Sequence, residues 1–397
     1  MDVITLSREY NTLSQEKKVF SGNGKTVMIL TGEASGDLHG AGLVRAIREM
    51  DQRISFIGAG GAFLRKEGCQ LFLDIRELSV MGFTEVLGKL PSVLKALKTA
   101  KGILRNRRPN LLILIDFPGF NLHVAKTAHR LGIPVLYYIS PKVWAWRPGR
   151  IRTLKKRVDR MAVIFPFEEA FYRDHRMAVS YVGHPLLDGP LRGLSNDSGN
   201  IGKTGKTIAL LPGSREKEIL MLLPVMMEAA KILRCEKPDL KFRISVAPSL
   251  DKGLVEHIVG PYRSTLDFDL VPEGVYEIFK TADFVVAASG TVTLEAAIAG
   301  IPMVVLYKMS RLSYFLAKHL VKVKFASPVN LIAGKDVVPE LLQDSAEPRN
   351  IAGTVLDILS NDARYGLMRK ELDGVRRLLG EPGASGRVAR IALEMMS

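Results

Sequence analysis

The chain has 397 residues, of which 47% are hydrophobic and 24% charged, a balance typical of a soluble globular protein with two ordinary domains. Its 56 lysines and arginines outnumber its 41 aspartates and glutamates, and the formal charge of +15 indicates anionic partners: nucleic acid, an anionic membrane or phosphorylated substrates. The two cysteines, Cys69 and Cys235, lie far apart, which excludes a disulfide framework and a paired-cysteine metal site and is typical of a reducing cytosol.

Residues 1–24 lack an apolar segment, so they are predicted to be a flexible extension and not a signal peptide. The segment closest in composition to a membrane span is 284–307. Gly290, Gly300 and Pro302 divide it, and the β-branched residues at its ends favour strands around a short helix. No transmembrane span is therefore predicted.

Strands and helices alternate from residue 25 onward, which indicates parallel βαβ units. A strand at 25–31 leads into a glycine-containing turn at 32–37, GEASGD, and then into a helix at 38–50. The other elements predicted in this half are strands at 54–58, 111–115, 135–139, 161–164 and 180–182, and helices at 90–105 and 122–131.

Asp116 directly follows the apolar strand at 111–115, and the run FPGF at 117–120 is predicted to delay the next helix. A carboxylate in an apolar frame at the carboxyl end of a strand is a candidate general base. A turn or helix cap is the alternative for a single aspartate, and the residues alone leave both interpretations open.

A polar stretch at 191–206, rich in glycine, serine and asparagine, is predicted to be a linker. The alternation then restarts with strands at 208–211, 242–246, 267–270, 284–287 and 303–306, and helices at 216–233, 254–259, 275–281, 293–299, 348–359 and 364–379. Two such halves predict two Rossmann-like domains, 25–190 and 191–355, facing a cleft where the carboxyl ends of the strands gather ligands.

The run LLPGSREKEI at 210–219 joins a strand to a helix through a glycine-containing turn. The first N–H groups of a helix have no intrahelical partner, so such a turn can bind an anion. Ser214 adds a hydroxyl donor and Arg215 a planar fork that matches a phosphate, which predicts that Gly213, Ser214 and Arg215 hold the diphosphate of a nucleotide. An ordinary strand–helix connection with a surface arginine fits this stretch equally well.

A second turn of this kind lies in the run ASGTVTLEA at 288–296. Gly290 permits a tight turn, and Ser289 and Thr291 supply hydroxyls at a helix start. Glu295 falls in the first turns of that helix and is a candidate acceptor for ribose hydroxyls, with a capping role as the alternative.

Two further motifs remain ambiguous or fail. The run NIGKTGKT at 200–207 is not a P-loop, because Asn200 stands at the first glycine position and a strand follows instead of a helix. His184, between Gly183 and Pro185 near the domain junction, is equally consistent with a ligand contact and with a structural histidine.

Two basic stretches carry apolar or aromatic side chains, a combination that suits an anionic bilayer surface. Residues 78–97 precede a run of lysines and arginines, although a core helix with a solvated tail fits them nearly as well. Residues 142–157 combine Trp144 and Trp146 with seven lysines or arginines. No nucleic-acid-binding module is recognisable, so nucleic acid is not a predicted partner. The predicted membrane face consists of Val80, Met81, Phe83, Val86 and Leu87.

The motifs together resemble the lipid-A-disaccharide synthase family. The resemblance extends from about residue 26 to 345 with the motifs in family order, whereas the N-terminal extension has no counterpart in the family. The runs that carry it are GEASGD (32–37), VMG (80–82), SPKVWAWR (140–147), GHP (183–185), LPGSR (211–215), SGT (289–291) and PVNL (328–331).

The resemblance implies a GT-B fold of class α/β, two Rossmann-like domains facing a cleft, with C-terminal helices at 356–397 returning to the N-terminal domain. It implies an inverting glycosyltransferase of Gram-negative envelope synthesis that needs neither metal nor cofactor. The implied donor is UDP-2,3-diacylglucosamine and the implied acceptor 2,3-diacylglucosamine 1-phosphate, giving a β-1′,6-linked disaccharide 1-phosphate and UDP. A peripheral position on the cytoplasmic face of the inner membrane is expected, and helix exchange between subunits in the family makes a homodimer an expected assembly.

The same resemblance assigns roles to individual residues. Asp116 would be the catalytic base, Arg215 with Ser214 and Thr291 would stabilise the departing UDP, and Glu295 would hold the ribose. The acceptor side would be lined by Glu33, Ser35, Asp37 and His184, and Asn330 would contact substrate. The alternatives are a GT-B transferase or epimerase with a soluble sugar substrate, and a non-catalytic nucleic-acid-binding protein.

Overall fold

Seven parallel strands form the first sheet of the computed structural model, which describes residues 24–75, 86–141, 143–146, 148–194, 207–247, 250–272, 274–309 and 324–397. The strands are β1 (Thr26–Leu30), β2 (Ser55–Gly60), β3 (Gln70–Asp74), β4 (Leu111–Ile115), β5 (Val135–Tyr138), β6 (Arg160–Val163) and β7 (Val179–Tyr181). Their order across the sheet is β3-β2-β1-β4-β5-β6-β7. The first half is therefore doubly wound, with its topological switch point between β1 and β4.

Both faces of this sheet are buried, which explains why its central strands are almost wholly apolar. In β4, the run LLILI, every residue is inaccessible to solvent. Successive residues of β1 enter different cores, since Val27 and Ile29 belong to one apolar cluster and Met28 and Leu30 to the other. Alternate side chains of a strand point to opposite faces, so continuous apolar runs are needed when helices cover both.

The second half has a six-stranded parallel sheet built in the same way. Its strands are β8 (Thr207–Leu211), β9 (Lys241–Ser245), β10 (Phe268–Val271), β11 (Phe284–Ala288), β12 (Met303–Tyr307) and β13 (Glu340–Leu342). The order is β10-β9-β8-β11-β12-β13, so the switch point lies between β8 and β11. The predicted pair of Rossmann-like halves is confirmed.

The helices of the first half are α1 (Ala34–Met50), α2 (Ala62–Lys66), α3 (Val86–Arg107), α4 (Pro118–Arg130), α5 (Val143–Trp146), α6 (Ile151–Lys155) and α7 (Pro166–Asp174). Those that follow are α8 (Glu216–Glu236), α9 (Lys252–Val259), α10 (Val275–Phe279), α11 (Thr291–Ile298), α12 (Pro328–Ala333), α13 (Pro348–Leu359), α14 (Asp362–Leu378) and α15 (Ala384–Glu394). No helix among these described residues is long and apolar enough to cross a membrane.

Three predicted helices begin four residues earlier than expected: α3 begins at Val86 and not at residue 90, and the other two lie at the first switch point. Helix α1 begins at Ala34 and not at residue 38, so the glycine-containing turn is short and Asp37 lies on the helix. Helix α4 begins at Pro118 and not at residue 122. Proline is tolerated at the first helical position because its missing N–H would have no intrahelical partner there.

The chain returns to the first half at its C-terminal end. Helix α13 packs against α8, and α14 packs against α11 and α12, all of them elements of the second half. Helix α15 instead packs against α1. The carboxylate of Asp188 accepts hydrogen bonds from the N–H groups of Gly383 (2.6 Å), Ala384 (3.1 Å) and Ser385 (2.8 Å), which places the N-terminus of α15 against the segment that leaves the first sheet.

Several predictions fall on residues outside the described ranges. These are the extension up to residue 23, the part of the predicted linker at 195–206, and the membrane-face residues Val80, Met81 and Phe83. Val86 and Leu87 lie at the start of α3.

Candidate active site between the two sheets

The predicted site residues concentrate at the two switch points. In the first sheet, Glu33 follows β1 and Asp116 follows β4. In the second, the turn at 212–215 follows β8 and the run at 289–291 follows β11. A direct contact joins the two groups, because the guanidinium of Arg215 binds the carboxylate of Glu33. The carboxyl ends of both sheets therefore face one another, as ligand binding in a doubly wound fold requires.

Asp116 is exposed and lies in an unusual backbone conformation. It has a φ of 45° and is followed by Phe117 with a φ of 46°, both in the left-handed region. The carbonyl oxygen of Asp116 accepts hydrogen bonds from the buried Tyr137 hydroxyl (2.5 Å) and from Asn121 Nδ2 (2.7 Å). These two bonds to the backbone carbonyl hold the strained turn in place. The side chain of Asp116 is exposed at the carboxyl end of β4.

The turn at Asp116 and Phe117 also requires a glycine in the connection that follows β1. A Cβ atom at Gly32 would lie 2.2 Å from Cγ of Phe117, which is closer than any real contact. The first glycine of the GEASGD motif is thus explained by the close approach of the two connections that frame the first switch point.

The turn after β8 has the geometry predicted for an anion site, and a carboxylate already contacts it. Gly213 has a φ of 112°, which favours glycine. Glu218, on the first turn of α8, accepts hydrogen bonds from the N–H of Ser214 (3.2 Å) and from Nη1 of Arg215 (3.3 Å). The donors expected to bind phosphate are therefore held by an internal anion.

Arg215 makes its second contact across the cleft. Its Nη2 donates to Oε1 (3.0 Å) and Oε2 (3.1 Å) of Glu33. The two side chains are 63% and 53% exposed, so the pair is screened by solvent and contributes at most about 1 kcal/mol. A phosphate group, which carries more charge and more acceptor oxygens, can displace this carboxylate.

The run after β11 places Ser289, Gly290 and Thr291 at the start of α11. Ser289 Oγ donates to the carbonyl of Ala326 (2.7 Å), and Thr291 is exposed as the first helical residue. Glu295 lies one turn further on, where burial raises the pKa of its carboxyl to about 7. Within the described residues, its carboxylate has no hydrogen-bond or ionic partner, so it is available to a ligand hydroxyl.

Two residues predicted for the acceptor side lie in the interior instead. Asp37 is 2% exposed, and its carboxylate accepts the N–H groups of Gly61 (2.7 Å), Phe63 (2.9 Å) and Leu64 (3.2 Å), which caps the short helix α2. His184 is also buried: its Nδ1 accepts the N–H of Leu186 (3.2 Å), and burial lowers its pKa to about 3.

Ser35 is exposed on the first turn of α1, two residues after Glu33.

Asn330 is wholly buried and uses every hydrogen-bonding position of its side chain within the protein. Its Oδ1 accepts the N–H groups of Val337 (2.8 Å) and Val338 (2.9 Å). Its Nδ2 donates to the carbonyl of Val338 and to Oε1 of Glu340, both at 2.8 Å. The same Glu340 carboxylate accepts the N–H groups of Ala326 and Ser327, so this cluster holds the loop that contacts Ser289.

Sequence reasoning missed the residues that hydrogen-bond to the candidate site residues and their turns and hold them in position. Asn121 and Tyr137, which hold Asp116, come from α4 and β5, and Glu218 and Glu340 hold the two turns of the second half. One local signal was present, since Glu218 follows Ser214 by four residues, one helical turn. The contact of Tyr137 with Asp116 depends on strand pairing and has no local signature.

Two doubly wound domains joined across their switch points define a GT-B-type fold. The crystal structure of UDP-GlcNAc 2-epimerase from Neisseria meningitidis bound to UDP-GlcNAc matches with a TM-score of 0.63 at 13% identity, covering 93% of this chain and 100% of that chain. The glycotransferase of kitacinnamycin matches with a TM-score of 0.63 at 15% identity, covering 95% and 100%. At these identities the likeness shows the fold alone.

The sequence relatives are more specific. The family model for lipid-A-disaccharide synthetase matches residues 27–388. Lipid-A-disaccharide synthase from Geobacter sulfurreducens is 43% identical over 374 residues, which are 93% of this chain and 97% of the relative. That from Myxococcus xanthus is 42% identical over 382 residues, 94% and 98% of the two chains. This chain therefore belongs to the lipid-A-disaccharide synthase family and is a glycosyltransferase of lipid A biosynthesis.

Proposed function

We propose that the enzyme joins UDP-2,3-diacylglucosamine to 2,3-diacylglucosamine 1-phosphate, giving the β-1′,6-linked disaccharide 1-phosphate and UDP. The observation that carries this proposal is the placement of Asp116 and Arg215 at the two facing switch points, with Glu33 from the first half in contact with Arg215 from the second. A base on one side and an anion-binding turn on the other suit a displacement at a sugar carbon between them.

The proposed base is Asp116. Its exposed carboxylate would accept the proton of the acceptor 6-hydroxyl while the oxygen forms the new bond to the anomeric carbon. The bond from that carbon to the UDP oxygen breaks in the same step, on the opposite face of the sugar. A single displacement inverts the configuration, which accounts for a β-linked product from an α-linked donor.

The leaving group would be stabilised at the second switch point. The guanidinium of Arg215, the hydroxyls of Ser214 and Thr291, and the first N–H groups of α8 are the donors proposed for the diphosphate. Gly213 and Gly290 allow the backbone to approach it, with Ser289 held against Ala326. Glu295 would accept the ribose hydroxyls.

Glu33 and Ser35 are proposed to line the acceptor side. Asp37, His184 and Asn330 support the site from the interior in this proposal, because their polar atoms bind other parts of the protein.

Both proposed substrates carry acyl chains and phosphate, which agrees with a basic protein that works at a membrane surface. Val80, Met81, Phe83, Val86 and Leu87 are the proposed membrane face, on the cytoplasmic side of the inner membrane. The proposed division of the chain is 25–190 for the acceptor and membrane domain, 191–355 for the UDP-sugar domain and 356–397 for C-terminal helices, of which α14 packs on the second half and α15 on the first. A homodimer is the proposed assembly.

A UDP-release assay tests this function directly. The purified enzyme with both acylated substrates should release UDP and form a disaccharide 1-phosphate, and deacylated analogues of either substrate should be poor. Equal rates with a soluble sugar acceptor would favour a transferase without a lipid requirement. Epimerisation of a UDP-sugar without any acceptor, or RNA binding without UDP binding, would overturn the proposal.

A further inference from the structure

A buried carboxylate on α7 binds the segment made of the described residues 140–141 and 143–146, referred to below as the 140–146 segment. Glu168, on the first turn of α7, is 1% exposed. Its Oε1 accepts hydrogen bonds from Ser140 Oγ (2.6 Å) and from Trp144 Nε1 (3.2 Å), and its Oε2 accepts the N–H of Phe165 (3.3 Å). Three donors from two separate parts of the chain thus converge on one carboxyl group.

A buried carboxyl group is costly to keep charged, and burial raises the pKa of Glu168, partly offset by the hydrogen bonds of Ser140 and Trp144. Among the described residues, no lysine or arginine forms an ion pair with it. An apolar side chain of similar size would leave the donors of Ser140, Trp144 and Phe165 without an acceptor, so the carboxylate fixes the two parts of the chain that supply them relative to each other.

The segment that Glu168 holds adjoins Asp116. It begins one residue after Ile139, whose carbonyl accepts the N–H of Asp116 (3.3 Å) and whose own φ is 60°. Tyr137, two residues earlier, binds the Asp116 carbonyl. Tyr137 and Ile139, at the end of β5, hydrogen-bond to the backbone of Asp116. A movement of the 140–146 segment would therefore shift Asp116 through these two residues.

Aromatic packing fixes the same segment from a second side. The Trp144 ring lies edge to face with Phe167, with 5.0 Å between ring centroids, and is half-buried, so part of it remains accessible. Tyr172 donates its hydroxyl to the carbonyl of Pro141 (3.3 Å). The indole therefore has a fixed orientation, with its N–H directed inward to Glu168.

We propose that Glu168 is a positioning residue for glycosyl transfer: through Ser140 and Trp144 it fixes the 140–146 segment beside Asp116, so that the acceptor is held against the base. The proposal rests on the role proposed above for Asp116. It assigns Glu168 to acceptor geometry and not to UDP binding, because the UDP turns lie on the other sheet.

The chain offers a direct reporter of this segment. It contains two tryptophans, Trp144 and Trp146, and both lie in α5. Intrinsic tryptophan emission of the full-length enzyme therefore reports the 140–146 segment without a background from other tryptophans.

The test compares Glu168→Gln, Glu168→Ala and Trp144→Phe with Glu169→Gln as the matched control. Glu169 is the adjacent carboxylate and pairs with Arg173 on the surface of the same helix. Glutamine at position 168 can still accept hydrogen bonds from Ser140 and Trp144 through its amide oxygen. Its NH2 group would face the N–H of Phe165, so that bond is lost, and alanine removes all three bonds. Phenylalanine at 144 retains the aromatic packing and removes only the indole donor.

We expect Glu168→Ala to shift the emission to longer wavelength and to increase its quenching by iodide. We expect kcat/KM for the acceptor to fall by about 10²-fold, the loss that a misplacement of about 1 Å can cause. Glu168→Gln and Trp144→Phe should show smaller losses in kcat/KM, and Glu169→Gln none. The Kd for UDP should stay unchanged in all four variants.

Unchanged acceptor kinetics in the folded variants would overturn the proposal, as would equal losses of UDP and acceptor binding. If Glu168→Ala does not fold, Glu168→Gln and Trp144→Phe decide the question by the same measurements. Asp116→Asn, assayed in parallel, separates the two claims: a turnover that survives in Asp116→Asn removes the base assignment, whereas its loss with unaffected Glu168 variants removes only the positioning role.

Discussion

Aspartate at position 116 suits both the strained backbone observed there and the proposed role as a base. Aspartate and asparagine tolerate the left-handed region better than other residues with a Cβ atom, because their short polar side chains interact with the local backbone. The φ of 45° at Asp116 therefore restricts the useful substitutions at this position.

Asp116→Asn retains the backbone preference and the size of the side chain but removes the ability to accept a proton. We expect turnover to fall by about 10²- to 10⁴-fold, the range for loss of a general base, with the Kd for UDP unchanged. UDP release and calorimetric UDP binding measure the two effects. Loss of both would mean that Asp116 supports the fold of the cleft and would remove it as the base.

Glu295 provides a pH-dependent test of ribose binding. Because its pKa is raised to about 7, the carboxyl is mostly neutral at pH 6 and mostly ionised at pH 8, and the ionised form is the better acceptor for two hydroxyls. Uridine, which has no phosphate to titrate, should bind more tightly as the pH rises from 6 to 8, by up to roughly tenfold.

Glu295→Gln should bind uridine without this pH dependence, which calorimetry over the same range can measure. A flat profile in the unchanged enzyme would place the ribose away from Glu295.

Single residues could be selected as candidates where the signal was local. Asp116 and Arg215 were selected because each follows an apolar strand at a turn, and the strand and the turn are both visible in the sequence. Asp37 and Asn330 were assigned to ligand contacts but bind backbone groups at 61–64 and 337–338, an arrangement that depends on packing between distant segments. A polar residue in a motif does not reveal whether its partner is a ligand or the protein itself.

At the scale of elements, the first turn of α8 carries a carboxylate that binds the donors proposed for the diphosphate. Glu218 binds the Ser214 N–H and Arg215, and Glu33 binds Arg215 from across the cleft. The donors proposed for the diphosphate therefore already bind the carboxylates of Glu218 and Glu33, and a diphosphate must compete with these two groups.

Glu33→Gln should remove one competitor and tighten UDP binding by about two- to fivefold, the equivalent of an exposed ion pair of up to about 1 kcal/mol. The gain should shrink as salt increases, because both interactions are screened. Glu256→Gln, which breaks an ion pair of similar exposure with Arg263, is the matched control. Weaker UDP binding in Glu33→Gln would show that Glu33 contacts the nucleotide directly.

Most element positions followed from apolar runs and glycine-containing turns, and helix α13 has the predicted bounds of 348–359. The starts of α1 and α4 were placed too late because a motif rich in glycine or proline was interpreted as a longer turn, and the start of α3 was also placed four residues too late. Short elements such as β13, with three residues, carry too little periodicity to be recognised and are specified by strand pairing with β12.

At the scale of the whole molecule, the two sheets and the cleft were predictable because the alternation of strands and helices repeats on each side of a polar stretch. The path of the C-terminal helices was not predictable from the residues alone. Helix α14 packs on the second half and α15 on the first, and the change occurs within the few residues at 379–384.

Asp188 should be important for this crossing, because it binds three N–H groups at the start of α15. Asp188→Ala should lower the free energy of unfolding by about 1–2 kcal/mol, the upper range for loss of a helix cap, and should increase proteolysis near residue 383. Asp174→Ala, an exposed aspartate at the end of α7, is the control. Equal stability of the two variants in chemical denaturation would contradict a role for Asp188 in holding α15.

The position of α15 also has a consequence for protein synthesis. Its buried residues, including Val388, Ala389 and Ala392, cover α1 of the first half, yet the ribosome makes them only after the entire second half. While the second half is being synthesised, the apolar surface that α15 later covers is exposed on the nascent first half. There it can bind chaperones or associate incorrectly. Helix α15 can cover α1 only after the second half has been synthesised.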